Sequence, residues 1–254
     1  MTTGVLTRQL APGVEAQIVS SADFGSAAAD LVQNQLSAKP NAVIGFPTGN
    51  TPLPLYHELL RRQKAGQIDL SRLQPVMLDD YLGAVGDNPI SFFNWLRREF
   101  FDPAGIVASR IWRMPTDPDG IDQACRRYER GLMERGGVDL QLLGLGLNGH
   151  IGFNEPGSPA ESRTRVIKLT ETTTAANAVY WPDASKVPHS GVTMGVGTIL
   201  EARSIGLLVN GAAKAGILRT ALFGPMTPAV PASLLRKVHK IHVIADEAAA
   251  SKLG

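Results

Sequence analysis

Five short runs of the chain are almost uninterrupted in hydrophobicity: AVIGF (42–46), PVMLD (75–79), VDLQLLGLG (138–146), SIGLLVN (204–210) and KIHVIAD (240–246). A strand with one wet face alternates apolar and polar residues, so runs of this kind predict strands covered on both faces. Between them, apolar positions recur at helical spacing over Ala22–Ser37, Pro52–Lys64, Ser91–Phe101, Asp119–Arg135 and Ala212–Leu222. Buried strands alternating with helices predict an α/β fold built on a doubly wound, mostly parallel sheet with helices on both faces. No Pro/Gly/Ser linker or repeat divides the sequence, so residues 1–254 are expected to form a single domain. Ligands of such sheets gather beyond the carboxyl ends of the strands, where the strand order reverses. The segments that follow each strand are therefore where chemistry is sought.

Composition narrows the classes. Hydrophobic residues make up 44% and charged residues 19%, an ordinary globular balance, and the formal net charge is only +2. The arginine pairs at 61–62, 97–98 and 126–127 sit in helical patterns beside acidic residues, which reads as solvated helix faces and not a nucleic-acid surface. No apolar run approaches the roughly 18 residues of a membrane span. The N-terminus lacks a charged leader followed by an apolar run, so a cytoplasmic protein is expected. Cys125 is the single cysteine, which rules out an intramolecular disulfide, and its place in an amphipathic helix pattern makes it a core residue.

Two glycine turns follow strands. After AVIGF comes Pro47-Thr48-Gly49-Asn50-Thr51-Pro52. Pro52 suits the first helical position, where no amide hydrogen is needed, and Thr51 is expected to cap the helix. The amino end of a helix carries partial positive charge, so Thr48, Gly49, Asn50 and Thr51 form a candidate phosphate cradle; an ordinary strand-to-helix turn is the alternative. No Gly-Lys-Ser/Thr follows, so this is not a Walker nucleotide loop.

The second turn, GLGLNG (144–149), matches the glycine spacing of a dinucleotide site. That fingerprint needs a helix straight after the glycines. Here HIGFNEP follows, whose glycine and proline make a poor helix start, so no nicotinamide cofactor is expected. The stretch instead gathers Asn148, His150 and Glu155 within eight residues. An imidazole titrates near neutrality, and a nearby carboxylate or amide can fix its tautomer. A third element, MLDDYLG (77–83), ends an apolar strand on two acids. They could be helix caps or loop residues, but strand alternation sends neighbours to opposite sides, so one of them is expected to face the ligand edge and could act as a base.

Together, GFPTGNTPLPLYHEL (45–59), LDDYLG (78–83) with SFFNWLRREFF (91–101), and LLGLGLNGHIGFNEPGS (142–158) with SRTRVIKLT (162–170) resemble the glucosamine-6-phosphate deaminase family, also called glucosamine-6-phosphate isomerase. The likeness continues through VPHSGVTMGVGTILEA (187–202) and GAAKA (211–215). The resemblance implies a Rossmann-like fold without a dinucleotide, no cofactor or metal, and a small sugar phosphate as substrate. It implies that Asp79 moves a proton from C2 to C1, and that His150, tuned by Asn148 and Glu155, opens the sugar ring. The phosphate would rest on Thr48, Gly49, Asn50 and Thr51, with Lys214 adding positive charge. Glucosamine 6-phosphate would yield fructose 6-phosphate and ammonia, a step of amino-sugar catabolism.

The sequence departs from the family pattern in three places. Asn148 stands where many members carry Asp, Asn50 where Gly is usual, and Val179 where many carry a phosphate-side arginine. The chain is also short at its C-terminus beside the allosteric, hexameric members, and a monomer or small homo-oligomer is expected. Galactosamine-6-phosphate deaminase/isomerase shares NGH-x-G-x-NEPG and the ending seen here as PASLL (231–235), and is the nearest alternative. A 6-phosphogluconolactonase would lack NEP after the histidine. A non-catalytic sugar-phosphate sensor would need a helix-turn-helix module, which the first forty residues do not offer.

Overall fold

The structure, a computed structural model, describes residues 6–88, 91–170, 174 and 187–254. In chain order its strands are β1 (Leu6–Ala11), β2 (Val14–Val19), β3 (Val43–Phe46), β4 (Gln74–Met77), β5 (Asp79–Tyr81), β6 (Leu140–Gly144), β7 (Arg165–Lys168), β8 (Ser190–Thr193), β9 (Ile205–Val209) and β10 (Ile241–Asp246). The helices are α1 (Phe24–Ala38), α2 (Leu53–Lys64), α3 (Phe92–Leu96), α4 (Ile121–Glu134), α5 (Val196–Leu200), α6 (Ala215–Phe223) and α7 (Glu247–Ala250).

Seven strands form one sheet in the order β1-β2-β10-β9-β6-β3-β4. All neighbours run parallel except the edge pair β1 and β2. Every residue of β3 and β9 is buried, as their uninterrupted hydrophobicity predicts for strands covered on both sides. The expected mostly parallel α/β sheet is therefore present, with an antiparallel hairpin added at one edge. The pattern did not single out that hairpin, because β1 is largely exposed and carries no apolar run.

The chain leaves β3 outward to β4, then returns on the other side of β3 as β6. This reversal opens a crevice beyond the carboxyl ends of β3 and β6. The two glycine turns singled out above follow those two strands.

The run PVMLD is not one strand. It breaks at Leu78, whose carbonyl accepts from Met194 N at 2.9 Å, and residues 79–81 join a second, three-stranded antiparallel sheet in the order β5-β8-β7. Asp80 explains the turn-off. Its carboxylate accepts from the amides of Tyr81, Phe92 and Phe93 and from Ser91 Oγ, at 2.7–3.1 Å. Three of those donors, from Ser91, Phe92 and Phe93, lie at the start of α3, so the strand is pulled away from the main sheet toward that helix.

Two of the arginine pairs have acidic partners: Arg61 and Arg62 share Glu58, Arg97 meets Asp102 and Arg98 meets Glu99. Arg126 and Arg127 are exposed, but Arg62, expected on a solvated face, is buried because it also reaches Asp30 and Ser26 of α1. Cys125 is buried in α4, and burial pushes its thiol pKa up to about 11, as expected of a core residue. Among the described residues, no helix is long and apolar enough to cross a membrane.

Candidate active site

The loop that leaves β6 carries the imidazole. No helix opens after Gly149, in keeping with the expectation against a dinucleotide turn. The chain folds back instead: Gly149 N donates to Gly146 O and Gly146 N to His150 O, both at 3.0 Å. A side chain at position 146 would collide with the imidazole, since a Cβ there would stand 2.3 Å from His150 Nδ1. Glycine at 146 is what lets the ring lie on the backbone.

Three side chains then line up in a chain. Glu155 Oε2 accepts from Asn148 Nδ2 at 2.8 Å, and Asn148 Oδ1 faces His150 Nδ1 at 2.8 Å. An ionised carboxylate only accepts, so Glu155 forces the amide to present its NH2 on that side and its oxygen to the ring. The oxygen in turn calls for a proton on Nδ1, which leaves Nε2 as the basic nitrogen. Burial lowers the His150 pKa, Glu155 pulls it back up, and Lys214 adds to the lowering. The neutral form with a free Nε2 lone pair is therefore favoured near neutral pH.

Asp79 reaches the same loop from β5. It pairs opposite Thr193 of β8, and Thr193 Oγ1 accepts from Phe153 N at 3.2 Å, which ties the β6 loop to the second sheet. Asp79 Oδ2 lies 3.3 Å from the place a Cβ would occupy on Gly152, two residues beyond His150. The two acids of β5 have different surroundings, as alternation predicts. Asp80 is engaged by four donors, whereas the Asp79 carboxylate makes no hydrogen bond among the described residues. Asp79 is 6% exposed, and burial, with the Asp80 charge second, pushes its pKa up to about 8. A carboxyl with a raised pKa and an imidazole with a lowered one thus both border the loop after β6, and displaced values of this kind mark a candidate proton-transfer site.

Gly152 has φ +54, and an added Cβ would also press on Thr193 Oγ1 at 3.1 Å and Leu78 Cγ at 3.2 Å. Gly152→Ala is expected to destabilise the protein by about 1–2 kcal/mol, read by urea denaturation, because an L-residue is strained there and has no free space.

The phosphate end departs from expectation in one detail. Thr51 does not cap α2; no side chain does, and Pro52 stands just before its first residue. The Thr51 hydroxyl donates instead to Asn210 Oδ1 at 2.9 Å, in the turn after β9. Four residues on, Lys214 Nζ donates to the carbonyl of Leu145, at the root of the histidine loop, and burial lowers its pKa. Thr48, Gly49 and Asn50 belong to the same turn as Thr51, and the side chains of Thr48 and Asn50 make no hydrogen bond among the described residues. The turns after β3, β6 and β9 thus meet through Thr51, Leu145 and Lys214. Val179 lies outside the described residues. Among the described residues, no cluster of three His, Cys, Asp or Glu side chains is arranged to hold a metal ion.

Three contributors were not singled out from sequence: Thr193, Asn210 and the fully buried Asn154, whose amide donates to Ile151 O and Met194 O. Asn210 carried a usable signal, since it directly follows a buried strand. The others act through tertiary contacts.

Comparison with known proteins identifies the family. Glucosamine-6-phosphate deaminase of Arthrobacter sp. (strain FB24) is 43% identical over 233 residues, covering 92% of this chain and 90% of the relative. That of Rhodopirellula baltica is 41% identical over 241 residues, covering 94% and 96%. The solved structure of a monomeric glucosamine-6-phosphate deaminase superposes with a TM-score of 0.90 at 36% identity, over 93% of this chain and 99% of that one. The 6-phosphogluconolactonase of Trypanosoma brucei, at 21% identity, TM-score 0.73 and coverage of 97% and 100%, shares the fold. Residues 18–244 match the family described as glucosamine-6-phosphate isomerases/6-phosphogluconolactonase. That match spans every residue from Thr48 to Lys214 that builds the site, and the chain belongs to this family.

Proposed function

We propose that the protein is a glucosamine-6-phosphate deaminase, converting glucosamine 6-phosphate and water into fructose 6-phosphate and ammonia. One observation carries the reading beyond family membership. The unpaired acid of β5 and the imidazole of the β6 loop lean on the same glycine turn, at residues 152 and 146, with their pKa values displaced in opposite directions.

In this reading, His150 Nε2 takes the proton of the C1 hydroxyl and returns it to the ring oxygen, giving the open-chain aldehyde. Asp79, ionised, removes the C2 proton while the substrate's ammonium group gives one to the carbonyl oxygen, which leaves an enolamine. The same carboxyl delivers its proton to C1, which restores the carboxylate and leaves an iminium at C2. Water adds there, one of its protons passes to the nitrogen, and ammonia leaves as ammonium while C2 becomes the ketone. Burial keeps the Asp79 pKa high enough to hold the proton between the two transfers and low enough to release it. The phosphate rests on Thr48, Gly49, Asn50 and Thr51, with Lys214 as the nearby cation. The two sheets act as one catalytic domain, a monomer working in the cytoplasm.

A coupled ammonia assay with glucosamine 6-phosphate and galactosamine 6-phosphate side by side tests the reading. Ammonia is expected from the gluco sugar at least about tenfold faster, a difference of about 1.4 kcal/mol in barrier. No release from either sugar, or a faster reaction with the galacto epimer, sinks it. Lys214→Ala is expected to raise KM for glucosamine 6-phosphate by about tenfold, since a charge-assisted contact is lost. An unchanged KM would remove Lys214 from the phosphate end.

A further inference from the structure

Asp246 ends β10, on the far side of β9 from the histidine loop, and plays no part in the chemistry above. It is 5% exposed. Its Oδ1 accepts from Ala249 N at 2.7 Å and so caps α7, a task that needs one oxygen. Yet both oxygens also accept from Gly211 N at 3.0 Å, and Oδ2 accepts from Ser21 Oγ at 3.3 Å. Gly211 is the pivot of the turn after β9. On one side of it Asn210 holds the Thr51 hydroxyl; on the other, Lys214 N donates to Gly211 O at 3.0 Å and Lys214 Nζ reaches Leu145 O. A turn that touches both the β3 loop and the β6 loop is therefore anchored by a buried carboxylate.

We propose that Asp246 is a positioning residue for the phosphate end of the site: by gripping the Gly211 amide it sets where the Thr51 hydroxyl and the Lys214 ammonium stand. This rests on the reading of the cradle as a phosphate site. The charge matters as well as the shape, because a carboxylate makes a stronger bond to an amide than a neutral acceptor does.

Asp246→Asn separates the two tasks of the residue. Asparagine caps helices as well as aspartate does, so α7 keeps its cap, while the Gly211 amide loses its charged partner. The variant and the wild type are compared in steady-state kinetics with glucosamine 6-phosphate, in calorimetric titration with inorganic phosphate, and in thermal melts. The expected result is a KM and a phosphate Kd both raised about five- to tenfold, with kcat within about twofold and Tm nearly unchanged. An unchanged KM and phosphate affinity, or a kcat that falls as far as KM rises, overturns the proposal. If the wild type binds inorganic phosphate but releases no ammonia, the deaminase reading fails while the phosphate titrations still decide the role of Asp246. A wild type that binds no phosphate overturns it too. Should Asp246→Asn not fold, Asp246→Ser, which caps with a single oxygen, is judged by the same criteria.

Discussion

Asp79→Asn is expected to lower kcat for ammonia release by about a thousandfold or more, about 4 kcal/mol in barrier, while phosphosugar affinity changes by no more than about threefold. The amide fills the same space on β5 and cannot accept the C2 proton. The wild type should betray the same group through pH. Its kcat/KM is expected to rise with pH toward about 8, the value to which burial lifts Asp79, because only the ionised form can act as base. A rise complete by pH 5 would mean that another group is titrating.

The same substitution should strengthen the fold. A carboxyl whose native pKa is raised to about 8 from an unfolded value near 4 is held protonated by the native state. Its favourable contribution is present in full below pH 4 and is lost as pH climbs toward 8, where a charge must sit in a buried place. Asn carries no such dependence. The variant's melting temperature should therefore exceed that of the wild type by a margin that grows between about pH 4 and pH 8, worth roughly 1–3 kcal/mol at the upper end. A catalytic loss joined to a stability gain is the mark of a site residue. Burial also raises the Asp80 pKa, but Asp80 accepts from four donors, three of them at the start of α3, which its replacement would leave unsatisfied.

His150→Gln is expected to slow reaction of the cyclic sugar by about a hundredfold or more, the range of a lost acid–base group. Glutamine can still hydrogen-bond to Asn148, so the loop should keep its shape, but it offers no nitrogen that can carry a proton from one oxygen to another. The measurement that decides is the comparison of substrates. An open-chain analogue, blocked from closing its ring, skips the step assigned to the imidazole and should lose less than about a tenth as much rate as the cyclic sugar. Equal losses on both would take ring opening away from His150.

The main sheet was legible in the sequence because five of its strands are buried on both faces and say so residue by residue. The helices were legible from their period. The second sheet was not: β5, β7 and β8 have three or four residues each, too few for a period to register, and they exist because they pair with one another. The break at Leu78 was hidden for the same reason, since the donors that capture Asp80 stand 11 to 13 residues further on. In the site, the local cluster of Asn148, His150 and Glu155 could be read from spacing alone. Thr51 could not, because the partner that takes its hydroxyl away from the helix end is Asn210, across the sheet and 159 positions later.

The amide between Glu155 and His150 has a consequence for how the pair behaves. A carboxylate in direct contact with the ring would stabilise its cation and bias it toward holding a proton. At 3.8 Å, with an amide interposed, the acid imposes orientation on the ring and still pulls its pKa upward, but less than burial lowers it. The spacer fixes the ring's tautomer without a direct ion pair, so burial still sets the balance and leaves the imidazole free to relay protons instead of storing them.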